Sequence, residues 1–224
     1  MDQTSWQAIK DYFPMLLQGT GVTLELTFLS VILGTILGLL LGLGRLSSYA
    51  LVRWPSVIYI TFFRGTPLFV QILLVHFAFL PAIFGHGVDP FYSGIVSLTL
   101  NSGAYIAEIF RAGIQSIDKG QMEAARSVGM SYTQAMWNVI IPQAFRRMLP
   151  PLGNEAIALS KDSSLLAAIS GGELAYQAKT MFGATTLTWA SFLTAALIYL
   201  CITMILAQIV SLLEKKYGTV NTNL

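Results

Sequence analysis

The amino-acid sequence predicts an all-α membrane protein with about five transmembrane helices. Two observations carry that expectation. Hydrophobic residues fill 54% of the 224 positions and charged residues only 11%, against about 25% charged in a soluble domain. The apolar residues also gather in charge-poor runs of roughly 20 residues, the length needed to cross a hydrocarbon core about 30 Å thick.

The first 14 residues, MDQTSWQAIKDYFP, hold Asp2, Lys10 and Asp11 and lack the basic start and apolar run of a secretory leader. A first span follows at about 21–44. Its glycines Gly34, Gly38 and Gly42 recur at i, i+4 and i+8, with Gly44 beyond, a small-residue face along which a second helix can approach closely. The second span, about 57–80, contains Arg64 just before GTPL. A charge at that depth must snorkel or pair, so FFRGTPL is expected to be a bent, low-lying part of the span. The third span covers about 90–110 and the fourth about 139–160. The fourth is weaker: Pro142, Arg146, Arg147 and Pro150-Pro151 interrupt its first half, which places that half near the interface. The fifth, about 186–213, lies in the longest uncharged stretch, Thr180 to Leu213.

Lys and Arg set the direction, because short cytoplasmic loops are enriched in them. Arg45 and Arg53 fall in one loop, Arg111, Lys119, Arg126, Arg146 and Arg147 in another, and Lys215 and Lys216 in the tail. The N terminus is therefore expected outside and the C terminus in the cytoplasm. The organisation that follows is an external segment at 1–18, a transmembrane domain at 19–213 with a cytoplasmic loop at 112–147, and a cytoplasmic tail at 214–224.

The loop is neither a span nor a linker. Asp118 can cap a short helix carrying MEAARSV, and Gly129 can end it in the left-handed conformation. Ser131 can cap a second helix that runs to Ile141 and stops or kinks at Pro142. A knuckle of two short helices, with Glu123, Ala124, Ala125 and Gly129 on its surface, would fit the groove of another protein.

The order Glu123-Ala124-Ala125, Gly129 and Ile141-Pro142 resembles the EAA loop of bacterial ABC-importer permeases, with Val139 and Ile141 in place of the usual Ile and Leu. FRGTPL at Phe63 to Leu68, LNSGAYIAEIFRAGIQSI at Leu100 to Ile117, PPLGN and KDSSL at Lys161 to Leu165 further resemble the polar amino acid permeases of histidine, glutamine, arginine and cystine type. The resemblance runs from about Gly19 to Tyr217. It implies the type I ABC importer permease fold and a bacterial inner-membrane location. Its implied partners are a cytoplasmic ABC ATPase dimer, a second permease chain that is identical or homologous, and an external amino acid binding protein. The ATPase would dock at Glu123, Ala124, Ala125, Gly129 and Pro142. No cofactor is expected on this chain; ATP and Mg would sit on the ATPase.

Asn101, Tyr105 and Glu108 stand at i, i+4 and i+7, one helical face over about 10 Å of rise. Ionisable groups at membrane depth are functional candidates by default. Glu108 could meet an amino group or a cationic side chain; the alternative is an ion pair with Arg111 at i+3. The resemblance adds Asp162 and Ser163 to the expected path. Glu155 is expected to bond backbone loosened after Pro151, the alternative again being the path.

Other functions find less support. A P-loop is missing from the sequence, and His76, His86 and Cys201 lack partners at metal-ligand spacing. A net charge of +2 with scattered basic residues does not suit nucleic acid. A membrane enzyme would need a converging acid, base and nucleophile, and none is apparent. An ion-coupled carrier or channel acting alone is the alternative function, and it leaves the knuckle unexplained.

Overall fold

The computed structural model describes residues 3–217, and every regular element among them is a helix. The first, α1 (Gln3–Leu46), runs for 44 residues, about 66 Å at the α-helical rise and so twice the hydrocarbon thickness. The expected boundary at 18/19 falls inside it. Residues before the boundary stay helical because they have something to bury: Ala8 and Leu16 join Leu174, Ala178, Met181 and Ala190 in one apolar cluster. Pro14 is carried within the helix.

Two helices, α2 (Ala50–Gly65) and α3 (Leu68–Phe84), meet at 108°. Thr66 is extended at φ −120 and ψ 150, and Pro67 sits at φ −65 and ψ 132. A proline disfavours helix in the residue before it and has no N–H to continue the ladder. The bend expected at FFRGTPL is therefore present, as a full break. The next helix, α4 (Pro90–Gln115), starts at an Asp89 cap that accepts from Phe91 N at 2.8 Å.

The short helices α5 (Lys119–Ser127) and α6 (Tyr132–Ala135) form a hairpin. Of the stop or kink expected at Pro142, the stop is not taken. The chain continues from α6 through a π turn, Met136–Ile140, into α7 (Ile141–Asp162). The other proline of this kind, Pro81 in α3, also follows a π turn, Val75–Phe79, with the same spacing. A proline ring collides with the carbonyl four residues back; a wider turn just ahead moves that carbonyl aside. After α7 come a 3-10 segment, Ser163–Ile169, then α8 (Leu174–Thr185) and α9 (Trp189–Tyr217).

By length and apolarity α1 and α9 can each cross a membrane, and the bent α2–α3 pair makes a third candidate. Helices α4 and α7, of 26 and 22 residues, stand where the third and fourth spans are expected. They are long enough, but small and polar residues in α4, and prolines and charged residues in α7, leave them less apolar than the other spans. Their polar faces point instead into cavities of the protein, which is how intramembrane charge is tolerated.

Packing centres on α1 against α4. A Cβ added at Gly38 would lie 2.6 Å from Ile106, and one at Gly34 would lie 2.2 Å from Ser102. The glycine stripe is thus a helix-packing surface. Leu26, Ile72, Leu98, Leu159 and Leu166 fill the middle of the bundle, while Ile117, Ile140, Ala144 and Met148 fill the end that carries the hairpin. The outward faces are apolar too: Phe28, Ile36 and Leu40 of α1 and Leu200, Met204 and Ile205 of α9 are more than half exposed, as a lipid solvent requires.

Candidate functional site

Two cavities adjoin along α4 and α7. The first, of about 370 Å³, is lined by Thr66, Pro67, Asn101, Tyr105, Glu155 and Asp162 among others. The second, of about 460 Å³, is lined by Arg64, Tyr105, Glu108, Ala112, Arg147 and Glu155 among others. Tyr105 and Glu155 belong to both walls. Both volumes fall in the range of small-molecule sites.

The α2–α3 break is what opens the first cavity, and Gln71 holds the break. Its amide, 3% exposed, donates to Phe63 O at 2.8 Å, to Thr66 Oγ1 at 2.8 Å and to Thr66 O at 3.1 Å. Its Oε1 accepts from Asn101 Nδ2 at 2.9 Å. The backbone groups that Pro67 leaves unpaired are thus satisfied by one side chain, and the same bond fixes Asn101 on the cavity wall. Nothing in the sequence singles out Gln71; its only signal is a polar residue four positions after the proline.

Asn101, Tyr105 and Glu108 do share a face, but Glu108 is already taken. Arg45 reaches it at 2.6 Å, Arg111 at 3.0 Å and Arg64 at 3.5 Å. All ion pairs among the described residues converge on this one carboxylate. Of the two roles that spacing leaves open for Glu108, the Arg111 pair is the one present; Arg45 and Arg64 come from α1 and α2 and are invisible to local spacing. Arg64 also lies over the Tyr105 ring, 5.3 Å from its centroid, which accounts for how a charge is kept in the second span.

Asp162 lines the first cavity. Ser163 does not join it: the side chain is fully buried and donates to Ser160 O at 2.9 Å. Glu155 departs from the expected backbone bond. It makes no hydrogen bond or ion pair among the described residues and stands free on both cavity walls. His76 and His86 are satisfied, by Ser93 Oγ and Gly87 O at 2.8 Å each, and no group of metal-binding side chains occurs among the described residues.

A further buried carboxylate lies away from the cavities. Glu173 caps α8 through the N–H groups of Ala175 and Tyr176 and accepts from the Tyr199 hydroxyl at 3.1 Å. Burial pushes its carboxyl up to about 7, against the pull of those three donors.

The hairpin forms as its caps dictate. Asp118 accepts from Gly120 N at 2.7 Å. Gly129 is at φ +90, where only glycine is unstrained. Ser131 and Gln134 complete a reciprocal capping box. Glu123, Ala124, Gly129 and Pro142 are exposed, but Ala125 is 6% exposed and faces the hairpin's own interior. Val128, Tyr132 and Trp137 supply the exposed apolar surface instead, at 75%, 62% and 67%.

The chain matches the family model described as the binding-protein-dependent transport system inner membrane component over residues 34–219. The probable amino-acid ABC transporter permease protein YckA of Bacillus subtilis is 43% identical, with 92% of this chain and 90% of that protein aligned. The arginine transport system permease protein ArtQ of the same organism is 40% identical over 91% and 92%. The glutamine transport system permease protein GlnP of Escherichia coli is 37% identical over 96% and 98%. Among solved structures, an amino acid ABC transporter crystallised with histidines superposes with a TM-score of 0.88 at 40% identity, covering 94% of this chain and 97% of that one. The inward-facing MetNI methionine ABC transporter shares the fold, with a TM-score of 0.72 at 21% identity over 90% and 97%.

Proposed function

The chain belongs to the family of inner membrane components of binding-protein-dependent transport systems, and from that premise we propose that it is the permease subunit of an ABC importer for a polar or basic amino acid. Full-length similarity to amino-acid permeases supports the substrate class. The observation that carries the reading is the capped hairpin, an exposed rigid element that a carrier working alone would not need.

In this reading the N terminus is outside and the hairpin is cytoplasmic. The ATPase dimer docks on Glu123, Ala124, Gly129, Pro142 and the exposed Val128, Tyr132 and Trp137, with Ala125 stiffening the hairpin from within. ATP and Mg are held by the ATPase. Hairpin motion reaches the bundle through the continuous α6–α7 helix and through Gln143, which donates to Gln121 Oε1 at 3.1 Å and so ties α7 to α5. An external binding protein delivers the amino acid to the first, outer cavity. There Asn101 presents a fixed amide, while Glu155 and Asp162 receive the amino group or a cationic side chain. A second permease chain closes the path from the other side.

Reconstitution tests the reading. The expected outcome is uptake of an amino acid only with the ATPase, ATP and binding protein present, and uncoupling of hydrolysis from uptake in Gly129→Trp. Uptake by the chain without nucleotide would favour the ion-coupled carrier.

A further inference from the structure

The Glu108 cluster is overcharged. Three arginines share one glutamate, leaving two positive charges in excess; Arg45 and Arg111 stand at the loop ends of their spans, while Arg64 lies within the second span, where a charge is retained only if it pairs or faces a water-filled cavity. The three contacts are not equal. Arg45 and Arg111 are close, at 2.6 and 3.0 Å, and Arg111 also donates to Gln115 Oε1. Arg64 is the outlying one. Its 3.5 Å contact is the longest, its side chain is 42% exposed, and it makes no hydrogen bond among the described residues. The Tyr105 ring beneath it fixes its position. It lines the second cavity, whose other cation, Arg147, donates through one guanidinium nitrogen to Ser116 O.

A guanidinium with unspent donors, held by an aromatic face at the edge of a cavity, is a carboxylate receptor. Across the same cavity stands Glu155, unpaired and shared with the outer cavity. We propose that the second cavity is a separate inner subsite for the amino acid in transit, in which Arg64 receives the α-carboxylate while Glu155 keeps hold of the amino end. This rests on the amino-acid importer reading and adds an order of events to it. The charged groups on the outer cavity's wall are the carboxylates of Glu155 and Asp162, beside the Asn101 amide and the Thr66 and Tyr105 hydroxyls, so it grips the cationic end. A substrate turning about Glu155 then exchanges its outer contacts for Arg64, and the Tyr105 ring between the two cavities is the sill it crosses. The ligand class is therefore an α-amino acid with a free carboxylate, and the corresponding amine is a poor ligand of the inner subsite.

Single-cysteine reporters separate the two cavities. With Cys201→Ala as background, Ala158→Cys is the outer reporter and Ala112→Cys the inner one. The complete transporter, in lipid nanodiscs and without nucleotide, is labelled with N-ethylmaleimide in the presence of L-arginine, L-glutamine or L-histidine, or of their decarboxylated counterparts agmatine, 4-aminobutanamide and histamine. At the inner reporter at least one amino acid is expected to protect about tenfold better than its amine, the worth of a hydrogen bond to a charged group. Arg64→Gln should abolish that difference and Arg64→Lys restore part of it. Equal protection by amine and amino acid at the inner reporter, or protection at the outer reporter with none at the inner, overturns the inner subsite and leaves the importer reading standing. A carboxylate preference that survives Arg64→Gln overturns the role of Arg64. No protection at either reporter, together with no ATP-driven uptake, overturns the importer reading and the subsite with it. The comparison of acid with amine needs no change at Arg64, so it decides the matter even where Arg64→Gln fails to fold.

Discussion

Glu108 shows how a residue's role changes once its neighbours are known. As a lone acid on a path-facing helix it would select cationic substrates; as the anion shared by three arginines it holds α1, α2 and α4 together. Glu108→Gln leaves three guanidinium groups facing one another. It should destabilise the assembled protein by about 2 kcal/mol, less than the roughly 3–5 kcal/mol of a fully buried pair because the arginines keep some water contact. Thermal unfolding in detergent measures this, and uptake of cationic and neutral amino acids should fall alike; a loss confined to cationic substrates would return Glu108 to the path. Glu173 makes a pH prediction. Its carboxyl titrates near 7 in the folded protein against 4.5 as the ordinary value, so the folded state holds its proton longer. The stability it contributes is complete below about pH 4.5 and is lost as pH rises through about 7. The melting temperature should fall across that window, and Glu173→Gln should flatten the fall; an identical slope in both proteins would contradict the assignment.

At the scale of elements, the α1–α4 contact is set by the glycine stripe. Gly38→Leu would drive a side chain into Ile106, which already lies 2.6 Å from a bare Cβ, and should cost about 1–3 kcal/mol through overpacking. Gly21→Ala is the control, since a Cβ there meets nothing within 4 Å. Comparable losses in the two variants, read from melting curves of the purified complex, would rule out close approach as the reason for the stripe. The hairpin is legible in the sequence for a related reason: Asp118, Gly129 and Ser131 act on backbone groups a few residues away, so the sequence holds both partners. Pro142 leaves a stop and a kink both open, and the choice falls to the π turn at Met136–Ile140, which has no residue signature.

For the whole molecule, the importer reading predicts a pair of permease chains. Native mass spectrometry of the purified transporter should find two permease subunits with two ATPase subunits; a single permease chain in an active complex would contradict it. Fold class, the rough positions of the long helices and the capped hairpin were readable from the chain alone, because hydropathy, prolines and caps act over distances of a few residues. The tertiary structure alone decided that residues 3–18 belong to α1 and that Gln71 holds the α2–α3 break. It alone brought Arg45 and Arg64 to Glu108, buried Ser163 and left Glu155 open to two cavities. Each of those outcomes depends on groups from separate helices meeting in space, and a linear pattern carries no record of such meetings.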